Sequence, residues 1–62
     1  MIINLFSYEG YNVETHEHPI YHDFEFVIKS KDGKVFVASV KPFKEKDEAE
    51  KNAKLTIDNL KD

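Results

Sequence analysis

Apolar and polar positions alternate along the middle of the chain. In DFEFVIKS, residues 23 to 30, every second side chain is large and apolar, which is the period of a half-buried strand. Asp32-Gly33 follows, a dipeptide typical of tight turns, and KVFVASVK then resumes strand character until Pro42 ends it. The pattern predicts an antiparallel hairpin over residues 23 to 41. Its predicted core positions are Phe24, Phe26 and Ile28 on the first strand and Phe36, Ala38 and Val40 on the second.

The C-terminal segment DEAEKNAKLTIDNLKD changes to a helical period. Asp47 is suited to cap the helix N-terminus, with Glu50 three residues later as its capping-box partner. One face of this helix is an apolar stripe of Ala49, Ala53, Ile57 and Leu60. Leu55 lies off this stripe, and is either a rim residue that covers the sheet edge or an apolar contact for a partner.

Two further segments precede the hairpin. GYNVETHE predicts a strand with Tyr11 and Val13 on one face, which Pro19 must end. MIINLFSYE suits either a short helix or a strand, and Gly10 as a C-terminal stop favours the short helix. We therefore predict a single α+β domain over residues 1 to 62. It has a three-stranded antiparallel sheet with the C-terminal helix packed on one face and a short N-terminal helix or strand docked beside it.

Composition narrows the classes of function. A chain of 62 residues buries about 60% of its unfolded surface, which leaves a small core and little room for a ligand pocket. Cysteine is absent, so disulfides, thiolate nucleophiles and the usual structural zinc ligands are excluded. The apolar runs are far too short to span a membrane. We expect a small, soluble, cytoplasmic protein.

Charge is unevenly distributed along the chain. The net charge is −3, and residues 1 to 28 contain five of the twelve acids and no lysine, whereas all nine lysines follow later. Arginine is absent, so the planar fork that binds phosphate or guanine with two hydrogen bonds is missing. The acidic first half favours a protein partner with a basic surface.

The stretch THEHPIYHD, residues 15 to 23, holds all three histidines. In a regular strand His16 and His18 would point to one face, a spacing that zinc sites use, and His22 or Asp23 could complete the set. The strand is expected to end here and no second ligand cluster exists elsewhere, so we predict no metal site. A pH-sensitive surface and a solvated contact loop remain open, and the contact loop is favoured.

Catalytic chemistry has little support in the sequence. The serines Ser7, Ser30 and Ser39 have no convincing base nearby, and Gly10 and Gly33 are too few for a phosphate-binding loop. The paired acids of the C-terminal segment lie on an exposed helix face. We predict a non-enzymatic protein without a cofactor.

The segment from residue 11 to residue 60 resembles the β-β-β-α body of a double-stranded RNA-binding domain. In that family a tyrosine opens the first strand, a Gly-Pro-x-His loop follows, an aromatic residue begins the second strand, and Lys-Lys-x-Ala opens the last helix. The matching residues are Tyr11, Pro19, Phe24 or Phe26, Ala49 and Ala53. The resemblance implies an α-β-β-β-α order of elements and binding of duplex RNA by its shape.

The departures from that family fall on its RNA-contacting residues. His18 stands where the family has glycine, His22 comes one position late, and Lys46 alone is retained from the lysine motif, beside Asp47. Since phosphate neutralisation supplies most of such affinity, the fold can persist without the RNA function. A shorter stretch, DGKVFVASVKPFKEKDEAEKNAKLTI, is similar to the hairpin-to-helix segment of HicB-type antitoxins, which use it as a small partner-binding fold.

Together these features predict a small acidic protein-binding module. It would inhibit a nucleic-acid-handling protein by occupying its basic site, in the manner of a phage-type or antitoxin-like inhibitor. The alternative is a degenerate double-stranded RNA-binding domain. The predicted partner-binding residues are Tyr8, Glu9, Tyr11, Glu14, Glu17, His18, Tyr21, Asp23 and Leu55. The RNA-binding residues of the alternative are His18, Pro19, His22, Lys44, Lys46 and Lys51. Neither the partner's identity nor the oligomeric state is indicated.

Overall fold

The computed structural model describes residues 1–60, so residues 61 and 62 lie outside it. Its elements are β1 (Ile2–Tyr8), β2 (Tyr11–Glu17), β3 (Phe24–Lys29), β4 (Val35–Ala38) and α1 (Lys46–Leu60). The strands form one antiparallel sheet in the order β1-β2-β3-β4, and α1 packs on one face of it. The predicted α+β class with a C-terminal helix is confirmed. Within residues 1–60, no helix has the length and apolar character needed to cross a membrane.

The N-terminal segment is a strand, so the short helix was the wrong choice and the sheet has four strands rather than three. Glu9 and Gly10 both have positive φ values, +50° and +85°, and form the tight turn that places Tyr8 opposite Tyr11. Gly10 therefore turns the chain back into the sheet instead of ending a helix. The observed order is β-β-β-β-α, which differs at its first element from the α-β-β-β-α order implied by the resemblance.

The predicted hairpin is present as β3 and β4. Its turn contains Gly33, with φ at +89°, whose N–H donates to the carbonyl of Ser30 at 3.0 Å. The amide of Ser30 in turn donates to the carbonyl of Lys34 at 2.9 Å. The Asp-Gly dipeptide thus has the turn role that its sequence predicts.

The core lies between α1 and one face of the sheet. Phe26 and Ile28 are buried there as predicted, whereas Phe24 is half-buried at the start of β3. Ala49, Ala53 and Ile57 of the helix stripe are buried as predicted, whereas Leu60 is 43% exposed. The small alanine side chains let the helix backbone approach the sheet closely. The buried apolar residues are Val13, Phe26, Ile28, Ala49, Ala53 and Ile57.

The core positions predicted on β4 were wrong. Phe36, Ala38 and Val40 are all exposed, and Val40 is 99% exposed. Val37 instead lies opposite Ile28 and packs against the core. An irregularity in the pairing of β3 with β4 causes this difference, because a shift of one residue exchanges the two faces of a strand.

Beyond β4 the chain leaves the sheet and then returns to it. Ser39 donates its N–H to the carbonyl of Phe26 at 2.9 Å, and its hydroxyl accepts from the Phe26 amide at 3.2 Å. Phe43 rejoins the sheet through two hydrogen bonds with Phe24, of 2.7 and 2.8 Å. Val40 lies on this excursion, away from the core.

A polar contact joins the sheet to the helix beside the apolar core. The carboxylate of Glu50 accepts from Asn4 Nδ2 at 2.7 Å and from Thr15 Oγ1 at 3.1 Å, and it lies 3.4 Å from Lys46 Nζ. Because α1 begins at Lys46 and Glu50 turns toward the sheet, the predicted capping box of Asp47 with Glu50 is not formed.

Candidate protein-binding surface

The β2–β3 loop, residues 18 to 23, presents two adjacent large side chains to solvent. Ile20 is 73% exposed and Tyr21 is 75% exposed. Two backbone hydrogen bonds of 2.9 Å close the loop: the amide of His18 donates to the carbonyl of Asp23, and the amide of His22 donates to the carbonyl of His18. The loop is therefore a defined turn that holds Ile20 and Tyr21 at its tip.

The His18 side chain supports this turn from within. Its Nδ1 accepts from the backbone amides of Ile20 and Tyr21, at 3.2 and 3.3 Å. Since both donors are amides, the ring carries its proton on Nε2 in this arrangement. The ring also contacts that of Tyr21, with 4.8 Å between centroids. His18, predicted as a contact residue, is half-buried and fixes the two exposed side chains.

Acidic side chains flank the tip of the loop. Glu17 ends β2, Asp23 ends the loop, and Glu25 is exposed near the start of β3. His22 has φ at +56°, and its Nδ1 donates to Glu17 Oε2 at 3.3 Å. Three acids thus lie within four residues in sequence of the exposed apolar pair.

Glu14 lies elsewhere, on the face of the sheet opposite α1. Its neighbours Val13 and Thr15 are fully buried under the helix, so Glu14 points to the other side. Its carboxylate is 2.7 Å from Lys29 Nζ and accepts from His16 Nε2 at 2.9 Å. The hydrogen bond from Lys29, and then that from His16, lowers the pKa of Glu14 below its ordinary value. Glu14, which was predicted as a contact residue, thus forms an ion pair with Lys29 within the protein.

The histidines are separated by the end of β2. His16 is in the strand and pairs with Glu14, whereas His18 lies beyond Glu17 in the loop. Over the part of the chain that the structure describes, no group of three or more histidine, aspartate or glutamate side chains is placed to hold a metal ion.

The remaining predicted partner-binding residues lie far from the loop along the sheet or on the helix. Tyr8, Glu9 and Tyr11 surround the β1–β2 turn, at the opposite end of β2. The Tyr8 hydroxyl donates to Asp58 at 3.0 Å, which ties it to the last turns of α1. Leu55 is 50% exposed on the helix. The loop therefore brings together Glu17, His18, Tyr21 and Asp23, but not the other members of the set.

Of the lysines of the RNA-binding alternative, Lys44 lies at the same end of the sheet as the β2–β3 loop. Phe43 pairs with Phe24 at the start of β3, and Lys44 follows it directly. Lys46 begins α1 and is 3.4 Å from Glu50, whereas Lys51 is exposed further along the helix. Pro19 and His22 are exposed in the loop. The acids Glu45, Asp47 and Glu48 are interspersed with these lysines.

Sequence reasoning missed Ile20 and Glu25 at this surface. A large apolar residue between Pro19 and Tyr21, outside any strand, was a usable signal for Ile20, because a loop has no sheet face on which to bury it. Comparison of the chain with protein-family models, with curated proteins and with solved structures found no match. The function is therefore inferred from the surface itself.

Proposed function

We propose that this protein is a small acidic protein-binding module whose contact surface is the β2–β3 loop. The observation that carries the proposal is the exposure of Ile20 and Tyr21, each about three quarters accessible, on a loop that hydrogen bonds hold in shape. Tyrosine is among the side chains that supply much of the energy of protein interfaces, and covering an exposed isoleucine removes apolar surface from water. A loop that is already ordered loses little conformational entropy on binding.

The charges around the loop select the kind of partner. Glu17, Asp23 and Glu25 flank the apolar pair and suit a basic surface with an apolar depression at its centre. Proteins that handle nucleic acids carry basic surfaces of this kind, which bind phosphates. Occupation of such a site by the loop would exclude the nucleic acid, so the module would act as an inhibitor.

The serines support a non-enzymatic function because each is used in the fold. Ser7 Oγ donates to Asn12 Oδ1 at 3.1 Å, and Ser30 hydrogen-bonds Asp32 in the β3–β4 turn. Ser39 accepts from a backbone amide of β3. These hydroxyls stabilise turns and strand ends.

Binding of double-stranded RNA is the competing function. The β2–β3 loop and Lys44 share one end of the sheet, as a duplex-spanning surface requires. Lys46, however, is close to Glu50, and Asp47 and Glu48 stand beside it in sequence. Neighbouring carboxylates repel phosphates, so this end of the molecule favours a basic protein over RNA.

Two matched variants test the proposed surface. Ile20→Ser combined with Tyr21→Ser removes the exposed pair, and Leu55→Ser removes an exposed apolar side chain from the helix. Immobilised wild-type protein is used to capture partners from a lysate, and mass spectrometry identifies them. We expect one captured basic protein to be lost with the loop variant, retained with the Leu55 variant, and displaced by heparin, a polyanion that mimics nucleic acid. A captured protein that binds all three forms equally would contradict the proposal.

A gel-shift titration with a generic RNA duplex at low salt tests the competing function. We expect no shift at micromolar protein. A steeply salt-dependent shift that Lys46→Glu weakens would overturn the protein-binding proposal in favour of RNA.

A further inference from the structure

Strand β1 is an edge of the sheet, with β2 on one side and no strand from residues 1–60 on the other. Its sequence, IINLFSY, contains no charge, proline or glycine. Ile2 is 48% exposed and Leu5 is 64% exposed. Exposed, uncharged edges of this kind readily pair with a further strand.

The opposite edge is built differently. Strand β4 has four residues, its pairing with β3 is irregular, and lysines stand directly before and shortly after it at Lys34 and Lys41. Pro42 then interrupts the edge where the chain leaves the sheet. Short length, irregular pairing, lysine and proline are the features by which soluble proteins prevent edge pairing. Strand β1 shares one of these features, an irregularity in its pairing between Ile2 and Asn4. From Asn4 to Tyr8 it pairs regularly and contains no lysine or proline, so this part of its edge is unprotected.

The turn between β1 and β2 determines which backbone N–H and C=O groups of β1 point away from β2. Tyr8 and Tyr11 flank a two-residue turn, so they exchange hydrogen bonds with each other. Opposite residues alternate in an antiparallel ladder, which directs the N–H and C=O of Ser7 and Leu5 away from β2. A second β1 strand running antiparallel, with Leu5 opposite Leu5 of the other copy, can pair with these groups.

The charges above β1 favour a second copy in this register. On the helix side, Glu50 lies over Asn4 at 2.7 Å, and Lys54 Nζ lies 5.5 Å from the centre of the Phe6 ring. With Leu5 opposite its equivalent, Asn4 of one copy faces Phe6 of the other. Glu50 of each copy then approaches Lys54 of the other copy, so the symmetric pair contains this contact twice. A register centred on Phe6 would place the two lysines together.

We infer that two copies of this chain associate through β1 in a symmetric antiparallel pair, which joins their sheets into one of eight strands. The interface is small because a single seven-residue edge contributes most of it. Interfaces of less than about 1,200 Å² belong to the weak class, so association is expected at roughly micromolar concentrations. The pairing uses a surface separate from the β2–β3 loop and is independent of the proposed function.

Sedimentation equilibrium over roughly 1 µM to 1 mM protein, a range that brackets micromolar affinity, tests the pairing. The wild type should change from monomer to dimer in this range. Ser7→Pro removes an outward N–H and is expected to raise the dissociation constant by at least about tenfold. Ser7→Ala is its matched control, since it loses the same side-chain hydrogen bond to Asn12 but keeps the N–H. Circular dichroism verifies that each variant is folded.

Two further variants test the edge and the register. Leu5→Lys should weaken the dimer, whereas Val35→Lys on the protected edge should leave it unchanged. Lys54→Glu should weaken the dimer several-fold by opposing Glu50 of the other copy. A wild type that stays monomeric, a dimer that Ser7→Pro and Ser7→Ala affect equally, or one insensitive to Lys54→Glu would overturn the inference.

Discussion

Thr15 and Glu50 form a hydrogen bond that joins the centre of the sheet to the helix, with 3.1 Å between Oγ1 and Oε2. Thr15 is fully buried, so its hydroxyl depends on a partner within the protein. The carboxylate also accepts from Asn4 of the edge strand at 2.7 Å. One acidic side chain of α1 therefore fixes the helix relative to both β1 and β2.

Replacement of Glu50 should destabilise the fold. Glu50→Ala leaves the Thr15 hydroxyl buried without its acceptor and removes the partner of Asn4. Loss of such a partner costs about 1 to 3 kcal/mol of the free energy of unfolding. Urea unfolding measures the change, and Glu48→Ala, at an exposed position in the same helix, is the control. Equal losses in the two variants would show that the contact contributes nothing specific.

Acid should weaken the protein through Glu14 and Glu50. Burial raises the pKa of Glu50, but hydrogen bonds from Asn4 and Thr15 and the charge of Lys46 outweigh it, so the net pKa is lowered. The pKa of Glu14 is lowered by its hydrogen bonds. Each folded pKa lies below the ordinary 4.5, so the stabilisation is complete above that pH and is lost as the pH falls through the folded pKa.

Glutamine variants isolate this acid dependence. The free energy of unfolding, measured by urea titration at a series of pH values, should fall less steeply below about pH 4.5 in Glu14→Gln and Glu50→Gln than in the wild type. Glu48→Gln should keep the wild-type slope. An unchanged slope in both test variants would contradict the assignment.

His18 should control the order of the β2–β3 loop. His18→Ala removes the acceptor of the Ile20 and Tyr21 amides, so hydrogen exchange at these two amides should accelerate. NMR exchange measurements resolve them individually. His16→Ala, which breaks a contact with Glu14 on the sheet, is the control and should leave both rates unchanged. Equal rates in wild type and His18→Ala would mean that the backbone alone holds the loop.

The helix stripe should be sensitive to small changes in volume. Ile57 is fully buried, and Ile57→Val is expected to cost about 0.5 to 1.5 kcal/mol because it removes one methyl group from a packed core. Leu55→Ala, at a half-exposed position two residues earlier, should change stability by less than about 0.5 kcal/mol. Thermal and urea unfolding compare the two. A larger loss at Leu55 would contradict the observed orientation of α1.

Local patterns were sufficient for the elements whose period is unambiguous. The alternation before Asp32-Gly33 and the helical stripe after Asp47 each fit one period, and β3, β4 and α1 follow them. The N-terminal segment fits two periods, because its apolar residues satisfy both a helix face and a strand. The segment is a strand because the turn at Glu9 and Gly10 pairs it with β2. The local pattern of residues does not show this pairing.

The error at β4 and the ion pair of Glu14 have a different physical cause. The exposed side of Phe36 depends on the pairing irregularity with β3, and the engagement of Glu14 depends on Lys29 from the neighbouring strand. Both are set by the register between strands. In the loop, residue type made His18 and Tyr21 candidate contact residues, but the inward orientation of the His18 ring required the turn geometry.

The excursion between Ser39 and Phe43 has a practical consequence for labelling this protein. Both of its ends are fastened to β3 by pairs of hydrogen bonds, and Val40 between them is 99% exposed. Lengthening an exposed loop costs little, about 0.6 kcal/mol for each doubling of its length. A fluorophore or a short affinity tag inserted after Val40 would therefore project into solvent without disturbing the sheet, on the side of the sheet opposite the β1 edge.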